Sequence, residues 1–338
     1  MFKRVVITEP GDLSALQVIQ EAIPDPQPGE IRVKVQAAGV AYADVLMREG
    51  LYSVEDPYPL TPGYDVVGVV DALGEGVTGF TIGQTVAALT EVGGYTEMIC
   101  RPAAQLAPVP DGIDPAAAVS LILNGLTAYQ MLHRYARVQP GERVLIHGAG
   151  GGVGTLLLQL GKLAGLEMYG TASTSKHDLV CALGGSPIDY KTADFVAEMQ
   201  QIGGVDVVFD SIGGEHLEKS YAALRMGGRL IVYGGGLGIM TQGRPDEIKL
   251  NTRRVYQSPL NPSRLFADNK AVMGYFVASL NKQYPQWYQA DLAALFDLVK
   301  IGQLAPVIGA RIPLDQVAEA HDLINRAAVP GKIVLVMG

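Results

Sequence analysis

The chain has 338 residues, 48% hydrophobic and 18% charged, enough apolar material for two cores at ~100–200 residues per domain. Its 26 basic and 34 acidic residues leave a net charge of -8, which argues against a nucleic-acid or anionic-membrane surface. Cys100 and Cys181 are the two cysteines and lack CxxC spacing, so a disulfide framework and a thiolate zinc site are not expected; both read as small buried hydrophobes in a reducing compartment.

The opening stretch, MFKRVVITEPG, has no apolar core of a signal peptide. No apolar run approaches the ~20 residues that cross a bilayer; AAAVSLILNGLTAY comes nearest and is interrupted by Asn124 and Gly125. A cytoplasmic protein with no membrane partner is expected. Next, GEIRVKVQAAGV alternates Ile31, Val33 and Val35 with Arg32, Lys34 and Gln36, the period of a half-buried strand. DVVGVVDALG and QTVAALT are further strands, a short helix falls near Asp44–Arg48, and the many prolines mark loops. Residues 1–119 thus read as a mainly antiparallel β domain.

Residues 120–276 change texture. Strands at Arg143–His147, LEMYGTAS, VDVVFDS, GGRLIVYGG and NKAVMGYFV alternate with helices, as in a doubly wound parallel sheet. The helix from Gly152 to Ala164 is expected to bury Leu156, Leu160 and Leu163. Residues 277–338 add two amphipathic helices and a closing strand, GKIVLVMG, that returns to the first domain.

The glycines after the first of these strands are the strongest chemical signal. Ala149-x-Gly151-x-x-Gly154, with Gly150, Gly152 and Val153 between, joins a strand to a helix. Ala149 serves the turn, Gly151 lets the backbone approach a pyrophosphate, and Gly154 lets helix pack on strand, with the helix N-terminus offering N–H groups to the anion. The next strand ends in Ala172, where an NAD-binding domain carries an acid for the ribose hydroxyls. Ser173 and Lys176 follow and suit a 2′-phosphate, so NADPH is the expected cofactor. The five histidines, His133, His147, His177, His216 and His321, show no metal-ligand spacing and read mostly as surface or supporting residues.

In order and spacing, AAGVAYADVLMREGLY, YPLTPGYDVVGVV, NGLTAYQML, VQPGERVLIHGAGGGVG, YGTAS, IDYK, FDSIGG, GGRLIVYGG and GKIVLV resemble the medium-chain dehydrogenase/reductase superfamily, in its zinc-independent quinone oxidoreductase-like branch. The resemblance implies an α/β fold: a GroES-like, mainly antiparallel β domain with an inserted Rossmann domain, paired as a homodimer. Where zinc alcohol dehydrogenases of the superfamily take Cys, His and Cys, this chain has Ala41, Tyr64 and Leu123, so no metal is expected. Quinone reductase relatives commonly carry Asn at the place of Ala41. The resemblance puts Tyr52 near the nicotinamide as first candidate proton donor, with Tyr42 and Tyr64 as weaker ones. It places Thr127, Gly234, Leu237, Phe276 and Val277 along the nicotinamide half, Tyr190 beside the 2′-phosphate, and Lys332 over the cofactor. The expected activity is hydride transfer from NADPH to a small electrophile, a quinone or an α,β-unsaturated carbonyl. An enoyl-thioester reductase is the alternative, because Arg253, Arg254 and Arg264 make the segment before NKAVMGYFV basic. A non-catalytic NADPH-binding protein is the alternative of another class.

Overall fold

The computed structural model describes residues 1–52, 58–234 and 261–338. It divides into two units, Met1–Leu126 with Asn281–Gly338, and Thr127–Leu280. The texture of the sequence shifts earlier, at 119/120, because the Pro115–Ser120 helix and the π-helical turn Leu121–Gly125 look like part of the helical half. They pack on strands of the first unit instead.

The first unit begins with an antiparallel pair, β1 (Phe2–Ile7) and β2 (Leu16–Glu21). β3 (Glu30–Val40) follows, then β4 (Asp65–Leu73), β5 (Thr85–Leu89), β6 (Met98–Pro102) and β7 (Leu106–Pro108). The alternation in β3 is realised: Ile31, Val33 and Val35 are buried while Lys34 and Gln36 are exposed. The second unit holds β8 (Arg143–His147), β9 (Glu167–Ala172), β10 (Gly185–Asp189), β11 (Val205–Asp210), β12 (Leu224–Tyr233) and β13 (Ala271–Tyr275). They form one parallel sheet in the order β10-β9-β8-β11-β12-β13. The chain then completes the first unit with β14 (Ile308–Pro313) and β15 (Lys332–Val336). β15 pairs antiparallel with β3 and parallel with β14, giving a seven-stranded sheet ordered β14-β15-β3-β4-β5-β7, with β6 also on β3. Val66, Val70, Val86, Tyr95, Ile333 and Leu335 are buried in its core, each large apolar side chain contributing about 1.5–3 kcal/mol.

That core contains an ion pair. Lys332 Nζ lies 3.2 Å from Asp65 Oδ2, and both side chains are almost fully buried. Burial raises the Asp65 carboxyl and the Lys332 ammonium opposes the rise. Asp65 also accepts the Leu123 backbone N–H at 3.1 Å, and only glycine fits at position 39, where a Cβ would meet both Asp65 Oδ1 and Lys332 Cε.

The Gly152–Leu163 helix corrects one expectation. Leu156 and Leu160 are buried, but Leu163 is 45% exposed. The side pressed on β8 and β9 carries Gly154 and Gly161, whose added Cβ atoms would strike Ala149 and Met168; the leucine row lies on another side and emerges at the last turn. Cys100 is half-buried and Cys181 exposed, so Cys181 is no core residue. Among the described residues no helix is long and apolar enough to cross a membrane.

Removing one member of a buried ion pair strands the other charge, at a cost of about 3–5 kcal/mol. Lys332→Met should lose that much in urea unfolding, and adding Asp65→Asn should recover part of it. An unchanged midpoint in Lys332→Met would show that the pair does not hold the sheet.

Candidate functional site

The glycine loop connects β8 to the Gly152–Leu163 helix. Its left-handed residue is Gly148, at φ +73, whereas Ala149 is fully buried and not left-handed. The turn is therefore made one residue before the fingerprint begins, which is why alanine suffices at 149. The Ala149 N–H bonds the Thr171 carbonyl at 3.0 Å, and the Gly148 N–H reaches Thr171 Oγ1 at 3.3 Å, tying the loop to β9. Gly151 is the N-cap and supplies no side chain to the helix's first turn, whose N–H groups lack helical acceptors by geometry. At Gly154 a Cβ would stand 2.6 Å from Ala149 Cα and closer still to the Gly148 carbonyl oxygen. Gly150 is buried under the Lys176 stem, and Gly152 and Val153 open the helix half-buried, a cradle that suits a phosphate or pyrophosphate.

One wall of the cradle is Lys176. A Cβ at Gly150 would lie 2.6 Å from Lys176 Cδ, so the lysine stem runs across the loop. Lys176 is half-buried, and burial lowers its ammonium below the ordinary value. Ala172, the last residue of β9, is buried and brings no carboxylate. Ser173 Oγ is 3.2 Å from Ser175 Oγ. Sequence reasoning missed Asp189, which pairs with Ala172 from the end of β10. Its carboxylate accepts Thr174 Oγ1 at 2.5 Å and the Lys191 N–H at 3.0 Å, and these bonds hold it below the usual carboxylate range. Tyr190, next to it, is 56% exposed.

Thr127 is buried at the start of the second unit. Gly234 follows β12 at φ +62 with Ser211 Cβ beside it. Phe276 is half-exposed and Val277 buried after β13. Leu237, Arg253 and Arg254 lie outside the described residues. Lys332 departs from its expected role, since its ammonium is held by Asp65 inside the sheet rather than open to a ligand. Arg264 is likewise engaged, with Nη1 2.5 Å from Glu218 and the guanidinium over the Tyr221 ring.

In the first unit the hydroxyls of Tyr52 and Tyr64 are 2.7 Å apart, their rings edge to face. Tyr64 is buried, and burial and its Tyr52 neighbour push its phenol above the ordinary value, so it stays protonated. Tyr42, first residue of the Tyr42–Arg48 helix, is also raised by burial. The frame is Asp44. Its carboxylate accepts the Ala41 N–H at 2.8 Å, the Gly63 N–H at 3.0 Å and the Tyr95 hydroxyl at 3.0 Å. Burial pushes it up to about 7 against those bonds. Asp44 thus fixes the backbone beside Ala41 and Tyr64, and Asp65 fixes it at Leu123. A methyl, a phenol and an isobutyl group give zinc no thiolate or imidazole, so the catalytic zinc of alcohol dehydrogenases does not fit these three positions.

His133 is exposed and His177 and His216 are half-buried. His147 and His321 are buried, and burial lowers each to about 3. His147, Asp210 and His216 converge although their spacing in sequence gives no sign of it.

Two family models match: "Alcohol dehydrogenase GroES-like domain" over residues 27–111 and "Zinc-binding dehydrogenase" over residues 184–335. The chain is 34% identical over 331 residues to the human synaptic vesicle membrane protein VAT-1 homolog, covering 97% of this chain and 84% of that one. It is 30% identical to human quinone oxidoreductase, covering 94% and 92%. Among solved structures, a mycobacterial protein complexed with NADPH superposes with a TM-score of 0.86 at 27% identity, over 99% of this chain and all of that one.

The contact at Gly154 gives a direct test. Gly154→Ala places a methyl against backbone that cannot rotate away, an overpacking that costs about 1–3 kcal/mol. Denaturant unfolding should show this loss, and an unaffected midpoint would mean that helix and loop are not in close contact.

Proposed function

The chain belongs to the medium-chain dehydrogenase/reductase superfamily, among its quinone oxidoreductase-like members, and from that premise we propose that it is an NADPH-dependent reductase of quinones or α,β-unsaturated carbonyls that uses no catalytic zinc. The carrying observation is the Tyr52–Tyr64 hydroxyl pair, with a phenol where the zinc enzymes of the superfamily place an imidazole. The NADPH-bound mycobacterial structure supports the cofactor, as do the glycine cradle and Lys176.

Bound NADPH supplies the hydride. The backbone N–H groups of the helix's first turn, from Gly152 to Gly154, hold the pyrophosphate at the helix N-terminus, while the Gly151 N–H closes the loop on the Gly148 carbonyl. Lys176 and Ser173 meet the 2′-phosphate, with Tyr190 flanking it and no acid at Ala172 to repel it. Thr127, Gly234, Phe276 and Val277 line the nicotinamide half. Tyr52 donates to the acceptor's carbonyl oxygen, where negative charge develops as the carbon is reduced. Tyr64, kept protonated by burial, donates to Tyr52 Oη and leaves the Tyr52 proton for the substrate. Because a phenol polarises a carbonyl less than a metal dication does, the acceptor must delocalise charge itself, which selects quinones and enones over simple ketones. Among the described residues β13 ends its sheet, an edge that supports a homodimer; the setting is the cytoplasm.

Two variants test this reading. Lys176→Ala should raise the Kd for NADPH about tenfold, the ~1.4 kcal/mol of one charge-assisted contact, and leave NADH binding unchanged. An equal change for both nucleotides would remove Lys176 from the 2′-phosphate. Tyr52→Phe should lower kcat by about 10²-fold, as loss of one transition-state donor does, without altering NADPH affinity. If kcat is unchanged, the proton comes from elsewhere.

A further inference from the structure

The second unit contains a cluster that the reductase reading does not use. His147 at the C-terminal end of β8, Asp210 at the C-terminal end of β11 and His216 opening the His216–Ala223 helix each offer one ligand atom, all within 4.8 Å of one another. We propose that these three side chains, with Ser220 beside them, form a binding site for one divalent first-row transition metal of the zinc type, separate from the positions where alcohol dehydrogenases hold their catalytic zinc.

The donor set is two imidazoles and a carboxylate, which suits zinc, nickel, cobalt or iron rather than calcium or magnesium. Asp210 Oδ2 is 3.1 Å from His216 Nδ1 and 2.5 Å from Ser220 Oγ. Ser220 Oγ is in turn 3.0 Å from His147 Nε2. These separations need little change to surround an ion with bonds of about 2.0–2.2 Å to N and O.

His147 and Asp210 are also held from behind, as metal ligands usually are. The other nitrogen of His147 faces Thr171 Oγ1 at 3.1 Å. The other oxygen of Asp210 accepts the Ile212 and Gly213 N–H groups at 2.7 and 2.9 Å. Phe195 packs edge-on against the His147 ring, and the two imidazoles meet nearly perpendicular, 4.3 Å between centroids. His216 is the partly exposed member, 22% by side chain, and gives the ion its way in.

Proton placement allows the exchange. Ser220 has one hydroxyl hydrogen, and its shortest contact gives it to Asp210. Without metal, His147 then donates from Nε2 to Ser220 and accepts from Thr171 at Nδ1. Moving the ring proton to Nδ1, where Thr171 Oγ1 can accept it, frees the Nε2 lone pair. For His216 the same shift, from Nδ1 to Nε2, frees Nδ1. Neither change of tautomer alters the charge of a ring, so only an ion is added and no proton need be lost to solvent.

The test is titration of the chelator-stripped full-length protein with Co²⁺ as a spectroscopic stand-in, followed by visible absorption and by metal analysis after gel filtration. One Co²⁺ per chain should be retained with tetrahedral ligand-field bands, and Zn²⁺ should displace it. His216→Ala, at a partly exposed position where folding is not threatened, should weaken binding at least tenfold. His133→Ala should bind as wild type, and Asp210→Asn should abolish the bands. No retained Co²⁺ in the wild type, or equal retention in His216→Ala, overturns the proposal. NADPH binding is read separately, so failure here leaves the reductase assignment standing.

Discussion

The proposed phosphate cradle of the parallel-sheet unit depends on a steric constraint. The helix that follows β8 approaches the loop so closely that no side chain fits at position 154. At Gly150 the lack of a side chain likewise makes room for the Lys176 stem. The same short stretch is tied to β9 through Thr171, whose hydroxyl also meets His147. Cradle, cationic wall and histidine cluster therefore share one piece of backbone and are preorganised together.

The first unit solves a different problem with two buried acids. Asp44 gathers two backbone N–H groups and a tyrosine hydroxyl, while Asp65 takes a lysine and the backbone N–H groups of Leu123 and Gly39. Buried carboxylates are tolerated only when so partnered. Their effect is to fix three segments that zinc enzymes would use for ligands, here carrying Ala41, Tyr64 and Leu123. With no thiolate or imidazole at those positions, the proposed mechanism assigns the polar chemistry to the Tyr52–Tyr64 pair.

Much of the fold is legible in the sequence because local patterning dictates it. The alternation in β3, the continuous apolar run of β11 and the glycines opening the Gly152–Leu163 helix each report their own environment. β10 is harder to see: Pro187 lies within it, and the strand exists because an edge position needs no N–H from that residue. What cannot be seen is convergence. Lys332 reads as a ligand-facing lysine, yet its partner Asp65 is 267 residues away. The available signal is that each is a lone charge beside an apolar strand, and two such charges need one another. His147 and Ser220, 73 residues apart, carry no comparable signal, because adjacency of β8 and β11 brings them together. Gly148 takes the left-handed turn ahead of the fingerprint, which only backbone angles reveal.

Hydride delivery from NADPH to a conjugated acceptor without catalytic zinc is the reaction proposed. It is read as loss of reduced nicotinamide absorbance with chelator present, offering an ortho-quinone, a 2-alkenal and a simple saturated ketone in parallel. Turnover of the quinone or the alkenal with NADPH is expected, and none of the ketone. Saturable NADPH binding with no turnover of either conjugated acceptor, or turnover of the ketone that the chelator abolishes, would contradict it.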